Sequence, residues 1–153
     1  MTDLFPIRVG AKAIVLEDDA VLAVRIDDEN SLHYNLPGGG IEPDERVRDG
    51  LVREVREETG ATVSVGPLSF VNEYYPPAHD AEYGPTHMLN LFFSCELTGS
   101  TQPNLPVKPD PNQVGVEWLP VASIDDQPLA PELGETWNDV LDGEPSTRYV
   151  DRW

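Results

Sequence analysis

The stretch from Leu36 to Gly60 leaves this chain few conformational choices. Gly38, Gly39 and Gly40 in succession tolerate positive φ and let backbone approach another group closely. Pro43 and Asp44 follow, and Asp suits a helix N-cap because its carboxylate accepts an orphan backbone N–H. From there most residues are good helix formers. Val47, Leu51 and Val55 recur every four residues as an apolar stripe. Gly60 stands just after the last periodic residue, the place of a left-handed C′ residue. The spacing therefore predicts a glycine loop that feeds a helix, which lies with one face on a core and stops at Gly60.

The same helix is acidic on one side. At about 100° per residue, Glu54, Glu57 and Glu58 share an arc of about 100° that borders the apolar stripe. Like charges at i, i+4 cost about 0.2–0.5 kcal/mol per pair, and the last turn disfavours negative charge. Arg53 and Glu57 form an i, i+4 pair of opposite sign. A bare E-x-x-E-E run can be a solvated helix face. It can also be a cation site, since hard oxygen ligands suit Mg2+ or Mn2+. Gly50 lies on the same arc, in a helix interior where Gly costs about 1 kcal/mol relative to Ala. Its missing side chain leaves room for a metal-bound phosphate, or else allows tight packing of the helix on a sheet.

Gly39, Glu45, Arg53, Glu54, Val55, Glu57, Glu58 and Gly60 stand at the spacing G-x5-E-x7-R-E-U-x-E-E-x-G-U, with U bulky and aliphatic. From Gly39 to Ala61 this resembles the Nudix box, the signature of the Nudix hydrolases. The chain departs from the pattern at the final U, which is Ala61, and has Tyr34 where many members carry Trp. The resemblance implies an α/β (α+β) sandwich in which a mixed sheet packs between helices, with Trp118-Leu119-Pro120 before a terminal helix. It implies hydrolysis of a phosphoanhydride in a nucleoside diphosphate linked to another group, with Mg2+ or Mn2+ as cofactor. Glu54, Glu57, Glu58 and the carbonyl of Gly38 take the places of the metal ligands. Glu57, Arg53 and Glu54 take those of the catalytic set, Arg53 orienting a glutamate of the helix. The acid that orients or deprotonates the attacking water is left among Glu57, Glu73, Glu96 and Asp110.

Substrate choice lies outside the box. In the family, ADP-ribose hydrolases are marked by a proline about fifteen residues past it, and counting from Ala61 that position is Pro76, followed by Pro77. This favours ADP-ribose or a related nucleotide sugar, with a nucleoside triphosphate as the alternative. Pro76 and Arg25 are the substrate-side candidates. His87 is another residue that could meet phosphate, and Phe70, Tyr74 and Tyr75 could stack on a base or serve as core. Some Nudix domains bind nucleotides without cleaving them; loss of box glutamates hints at that, and here all are present.

The remaining features bound the class. With 28 acidic against 10 basic residues the net charge is -18, and the lysines are Lys12 and Lys108. Such a chain repels nucleic-acid phosphates, so no nucleic-acid partner is expected; the partner that the resemblance implies is a small nucleotide. The acid fits an ordinary acidic bacterial protein or adaptation to salt. No apolar run reaches about 18 residues, so no membrane partner is expected, and no basic-then-apolar leader is seen. Cys95, in the run from Leu89 to Cys95, reads as a core residue. A cytoplasmic setting fits, with a homodimer as an assembly to test. Along the chain the reading is a hairpin over 7–16 and 20–27, a polar loop over 28–35, and one or two strands over 62–75. A loop at 76–86, a strand over 87–97, a proline-rich loop over 98–113, a strand over Val114–Leu119 and a helix over Glu132–Leu141 follow. Without linker or repeat, one domain over 1–153 is expected.

Overall fold

The computed structural model describes residues 7–29, 31–79, 84–133, 136–142 and 148–150. Strand β1 (Arg8–Glu17) turns into β2 (Ala20–Asp27) through Asp18 and Asp19, both at positive φ (51° and 60°). Two left-handed residues in a two-residue loop match the right-handed twist of the strands they join, and Asp tolerates that region better than most residues. The chain continues through β3 (Leu32–Asn35), β4 (Gly38–Gly40), α1 (Val47–Thr59) and β5 (Thr62–Tyr74). After a short 3-10 turn at Pro76–His79 come β6 (Met88–Thr98), β7 (Gln113–Pro120), a second 3-10 segment at Val121–Asp126, and β8 (Leu129–Ala130). Helix α2 (Thr136–Leu141) and β9 (Arg148–Val150) complete the described elements.

Among the described residues the strands form one curled mixed sheet in the order β8-β3-β2-β1-β6-β5-β9, with β4 paired to β1 and β7 to β2. β1 is its hub: antiparallel to β2 and β4, parallel to β6. Alternation along β1 and β6 gives the sheet two buried faces. Ala11, Ala13, Val15, Phe93 and Cys95 meet Leu51 and Val55 of α1. Ile14, Phe92 and Phe70 point the other way, against Trp137 and Leu141 of α2. Phe70 and Phe92 stack at 4.2 Å between centroids, and Trp137 meets Phe70 edge-on at 5.7 Å, with its indole N–H on the carbonyl of Pro131 at 2.9 Å. The mixed sheet between helices expected from the resemblance is present. Cys95 lies in the core, its thiol pushed up to about 11 by burial.

Four local expectations change. Gly38–Gly40, expected as loop, form the short strand β4, because the backbone of β1 from Gly10 to Lys12 pairs with it. Residues 32–35, expected as loop, form β3, because the free edge of β2 pairs with it from Val24 to Asp27 and β8 covers its other side. Asp44 does not cap α1; the N-cap is Arg46, without a side-chain bond, because residues 43–45 turn back and bring Glu45 over the helix. Helix α2 begins at Thr136 rather than Glu132, and residues 134–135 of that expected helix lie outside the described residues, as do 80–83 of the expected loop at 76–86. The C-terminal stop of α1 is as expected: Gly60 is left-handed at φ 74° and its N–H returns to Arg56.

Trp137 is 2% exposed and joins α2 to the Phe70–Phe92 stack. Trp137→Ala should therefore destabilise the protein by about 3–5 kcal/mol, seen as a lower urea midpoint at unchanged slope. A loss below about 1 kcal/mol would mean that α2 does not close this face.

Candidate functional site

The acidic helix meets the sheet through the glycine loop. Gly38 sits at φ 144°, and a Cβ there would fall 2.0 Å from the carbonyl oxygen of Ala11, so only glycine fits where β4 crosses β1. This close crossing holds the backbone of Gly38 above the last turn of α1. The Gly38 N–H donates to Glu58 Oε1 at 2.6 Å. Glu54 lies against the next residue; a Cβ on Gly39 would come within 2.7 Å of its carboxylate.

Arg53 holds the carboxylates of the helix together. Its Nε and Nη2 donate to the two oxygens of Glu45 at 3.0 and 2.6 Å, a bidentate pair. Its Nη1 donates to Glu54 at 3.1 Å and to both oxygens of Glu57 at 3.2 Å. Nη2 also reaches the carbonyl of Gly40 at 3.3 Å. The Arg53 guanidinium is the main reason that Glu45 ionises more readily than an ordinary carboxylate. The structure also resolves the two readings of Gly50. A Cβ there would meet Glu45 Oε1 and Ile41 Cδ1 at 2.7 Å. The space belongs to the incoming loop, so Gly50 is what lets Glu45 reach Arg53.

Glu54 and Glu58 face the opposite problem. Burial raises both above the usual carboxylate range, Glu58 to about 7, while the nearby positive charge of Lys12 and the Gly38 N–H work against it. Lys12 stands on β1 with its Nζ 3.5 Å from the carbonyl of Gly38. The proline-rich loop after β6 and the start of β7 dock on the end of α1: Asn104 N–H of the loop donates to the carbonyl of Thr59 at 2.8 Å, and Gln113 Nε2 of β7 to that of Glu58 at 2.7 Å. These bonds satisfy carbonyls that a helix end otherwise leaves bare. They also bring Asp110 close enough that its charge raises Glu58 further.

The donor set fits a hard divalent cation. Glu54, Glu57, Glu58 and the Gly38 carbonyl are all oxygen donors, as Mg2+ and Mn2+ prefer, and in two of the carboxylates burial outweighs the opposing positive groups, a penalty that a cation relieves. Among the described residues no three His, Cys, Asp or Glu side chains are drawn together as a ready cage. Glu54 and Glu57 lean to Arg53, and Glu58 to Gly38.

The other sequence candidates fall elsewhere. Arg25 on β2 pairs with Glu117 of β7 at 3.5 Å. Glu117 also accepts from the hydroxyl of Tyr34 at 2.7 Å, a bond that keeps this phenol protonated above its ordinary range. Pro76 is buried in the 3-10 turn that follows β5. Glu73 is bound to His87 at 2.6 Å and to the hydroxyl of Tyr149, which hold its carboxyl below the usual range. Glu96 is exposed on β6. Of the four candidate acids for the water, only Glu57 and Asp110 are brought to the end of α1. Phe70 is core, while Tyr74 lines a cavity of about 240 Å³ beside Gly39 and Lys12. Sequence reasoning passed over Lys12, Gln113 and Asn90, which lines that cavity. For Asn90 a signal existed: a carboxamide inside the apolar run from Met88 to Phe93.

Comparison with known proteins places these observations. The sequence profile of the NUDIX domain matches residues 6–139. The chain is 30% identical over 133 residues to a MutT-like protein of Streptomyces ambofaciens, covering 87% of this chain and 75% of that protein. It is 30% identical over 89 residues to the nucleoside triphosphatase NudI of Escherichia fergusonii, covering 54% of this chain and 63% of that protein, less than two thirds of its length. An ADP-ribose pyrophosphatase of Streptococcus suis superposes at a TM-score of 0.65 with 24% identity, covering 93% of this chain and 98% of that one; this likeness speaks for the fold.

Gly50→Ala tests the loop-to-helix lock. In an open helix interior the change stabilises by about 1 kcal/mol. Here the added Cβ pushes Glu45 off Arg53, so thermal melting should show no gain and a loss is expected. A full gain would show that the loop moves aside freely.

Proposed function

Because this chain belongs to the Nudix hydrolase family, we propose that it cleaves a phosphoanhydride bond in a nucleoside diphosphate linked to another group, with ADP-ribose or a related nucleotide sugar as substrate and Mg2+ or Mn2+ as cofactor. The observation that carries this reading is the gathering of Glu54, Glu57 and Glu58 around Arg53 and the Gly38 backbone at the end of α1. Glu54, Glu57, Glu58 and the carbonyl of Gly38 would hold the cation. When bound, it neutralises the diphosphate and lowers the pKa of water.

The chain's own residues do the positioning. Arg53, anchored on Glu45, fixes the rotamers of Glu54 and Glu57, so that little ordering remains for the moment of reaction. The Gly38 N–H holds Glu58 in place. Lys12 supplies the fixed positive charge on the sheet side and would face the substrate's phosphates. Glu57 is exposed and stands beside the others, which suits it to take a proton from water; Asp110, delivered by the docked proline-rich loop, is the second acid within the site. In a chain of net charge -18 long-range attraction does not help an anionic substrate, so local cations must do that work.

The substrate reading rests on Pro76. It follows Tyr74 by two residues, and Tyr74 is a wall of the cavity beside Lys12. The ring fixes φ near -65°, so this end of β5 is stiff and can bound the cleft at low entropic cost. A nucleoside triphosphate is the second reading, favoured by the relatedness to a nucleoside triphosphatase.

With Mg2+ present, ADP-ribose should yield AMP and ribose 5-phosphate. Glu57→Gln should lower turnover by about 10²–10⁴-fold without loss of fold. Near-normal turnover in that variant, or full activity in excess chelator, would sink the site assignment. A kcat/KM panel of ADP-ribose, nucleotide sugars and the common dNTPs decides the substrate, since a preference of about tenfold for any dNTP transfers the role to triphosphates.

A further inference from the structure

At the start of β7 the pairing with β2 slips by one residue. Gly115 stands opposite Arg25, but Ile26 is met by Gln113, so Val114 is the extra residue of a β-bulge. Residues directly opposite share a face of the sheet, so the bulge puts Gln113 on the side of Val24 and Ile26, where α1 packs. Bulges re-aim side chains in this way. Gln113 is buried, at 4% exposure, and a buried carboxamide is unfavourable unless it is paired. Its partner is the helix: Nε2 donates to the carbonyl of Glu58 at 2.7 Å. The loop before β7 does not need this bond to stay docked. Asn104 N–H holds the carbonyl of Thr59 at 2.8 Å, and Asp27 N–H holds that of Asn112 at 2.9 Å, both through backbone. What the carboxamide adds is a grip on Glu58. The last turn of a helix leaves its carbonyls without internal partners. Here Gly60 N–H takes that of Arg56, Asn104 N–H that of Thr59, and a side chain takes that of Glu58. Since Glu58 Oε1 also accepts from the Gly38 N–H at 2.6 Å, this glutamate is held at both ends.

We propose that Gln113 is a positioning residue for the cation site: its carboxamide fixes the end of α1 against the turn that carries Asp110, and so sets where the Glu58 carboxylate stands relative to the Gly38 backbone. The inference rests on the cation-dependent hydrolase reading above. Helix ends fray, and a ligand on a fraying turn is a poor one for Mg2+, which demands near-ideal octahedral geometry at about 2.0–2.1 Å. Gln113 removes that freedom before a cation arrives. The same residue ties in the second acid, because its backbone N–H closes the turn on the carbonyl of Asp110 at 2.9 Å. Asp110 and Glu58 therefore keep a fixed separation, with one residue bonded to both, and the charge of Asp110 is felt at the Glu58 carboxylate. Gln113 acts through these two acids and touches neither carboxylate. Groups that hold a metal ligand in place are worth about 10–100-fold in metal affinity or activity.

Gln113→Met, which keeps the length of the side chain and removes its N–H donor, is the direct test. Mn2+ binding is measured by electron paramagnetic resonance without substrate, alongside steady-state kinetics. The Mn2+ dissociation constant should rise by about 10–100-fold. At saturating Mn2+, kcat should fall while KM for the nucleotide stays nearly unchanged, because Gln113 does not meet the substrate. A cycle with Asp110→Asn should be non-additive in kcat, as it is for residues that act as a unit. Mn2+ affinity equal to wild type, whatever the melting temperature does, would overturn the proposal and leave Gln113 as an anchor of the loop alone; additive losses in the cycle would overturn it too. These results are distinct from failure of the underlying reading, which shows as wild type with no tight Mn2+ class or no nucleotide cleavage. If cleavage alone fails, the Mn2+ titration still decides the role of Gln113. Should Gln113→Met not fold, Gln113→Asn, which keeps the amide but stops one methylene short of the Glu58 carbonyl, carries the same expectations.

Discussion

The site depends on one guanidinium. Arg53 bridges Glu45, Glu54 and Glu57, so a helix face that is repulsive by charge becomes an ordered set of carboxylates. The bidentate bond to Glu45 is the part that a lysine could not reproduce, because only a planar fork meets both oxygens at once. Glu45 belongs to the turn before the helix, so the same bond fastens the glycine loop to α1. Gly50 is the space in which that bond is made. Loop, helix and carboxylates are thus one mechanical unit, held on the sheet by Leu51 and Val55 below and by the Gly38 crossing above.

The sheet adds two things that the helix lacks. β1 places Lys12 beside the Gly38 carbonyl and, at Gly10, leaves room for the side chain of Asn90. The loop of 99–112 supplies a third, since the bond of Asn104 to the carbonyl of Thr59, and that of Gln113 at the start of β7 to the carbonyl of Glu58, carry Asp110 to the open end of α1. These parts come from strands and loops far apart in sequence, and only the curled sheet collects them.

That explains what was legible beforehand. Helix periodicity places Glu54, Glu57 and Glu58 on one arc whatever the rest of the chain does, and Gly60 stops a helix by local conformation alone. The hairpin at Asp18-Asp19 is equally local. β3 was hidden because its four residues, an exposed Leu32 followed by three half-buried ones, form a strand only when β2 and β8 flank them. The N-cap at Arg46 was missed because Glu45, one residue before it, is committed to Arg53, a choice made by tertiary contact and not by capping preference. Arg25 and Glu73 looked available in the sequence, but their neighbours across the sheet, Glu117 and His87, already hold them. Lys12 and Asn90 gain their meaning only from registers between strands.

The central claim is that the end of α1 is a divalent-cation site and not a solvated acidic surface. Free Mn2+ followed by electron paramagnetic resonance tests it most directly. Wild type should show a tight class of ions that disappears in Glu54→Gln and Glu58→Gln and persists in Asp18→Asn and Asp19→Asn, which remove equal charge at the far hairpin. Equal binding in all of these variants would contradict the account and assign the ions to the general acidity of the chain.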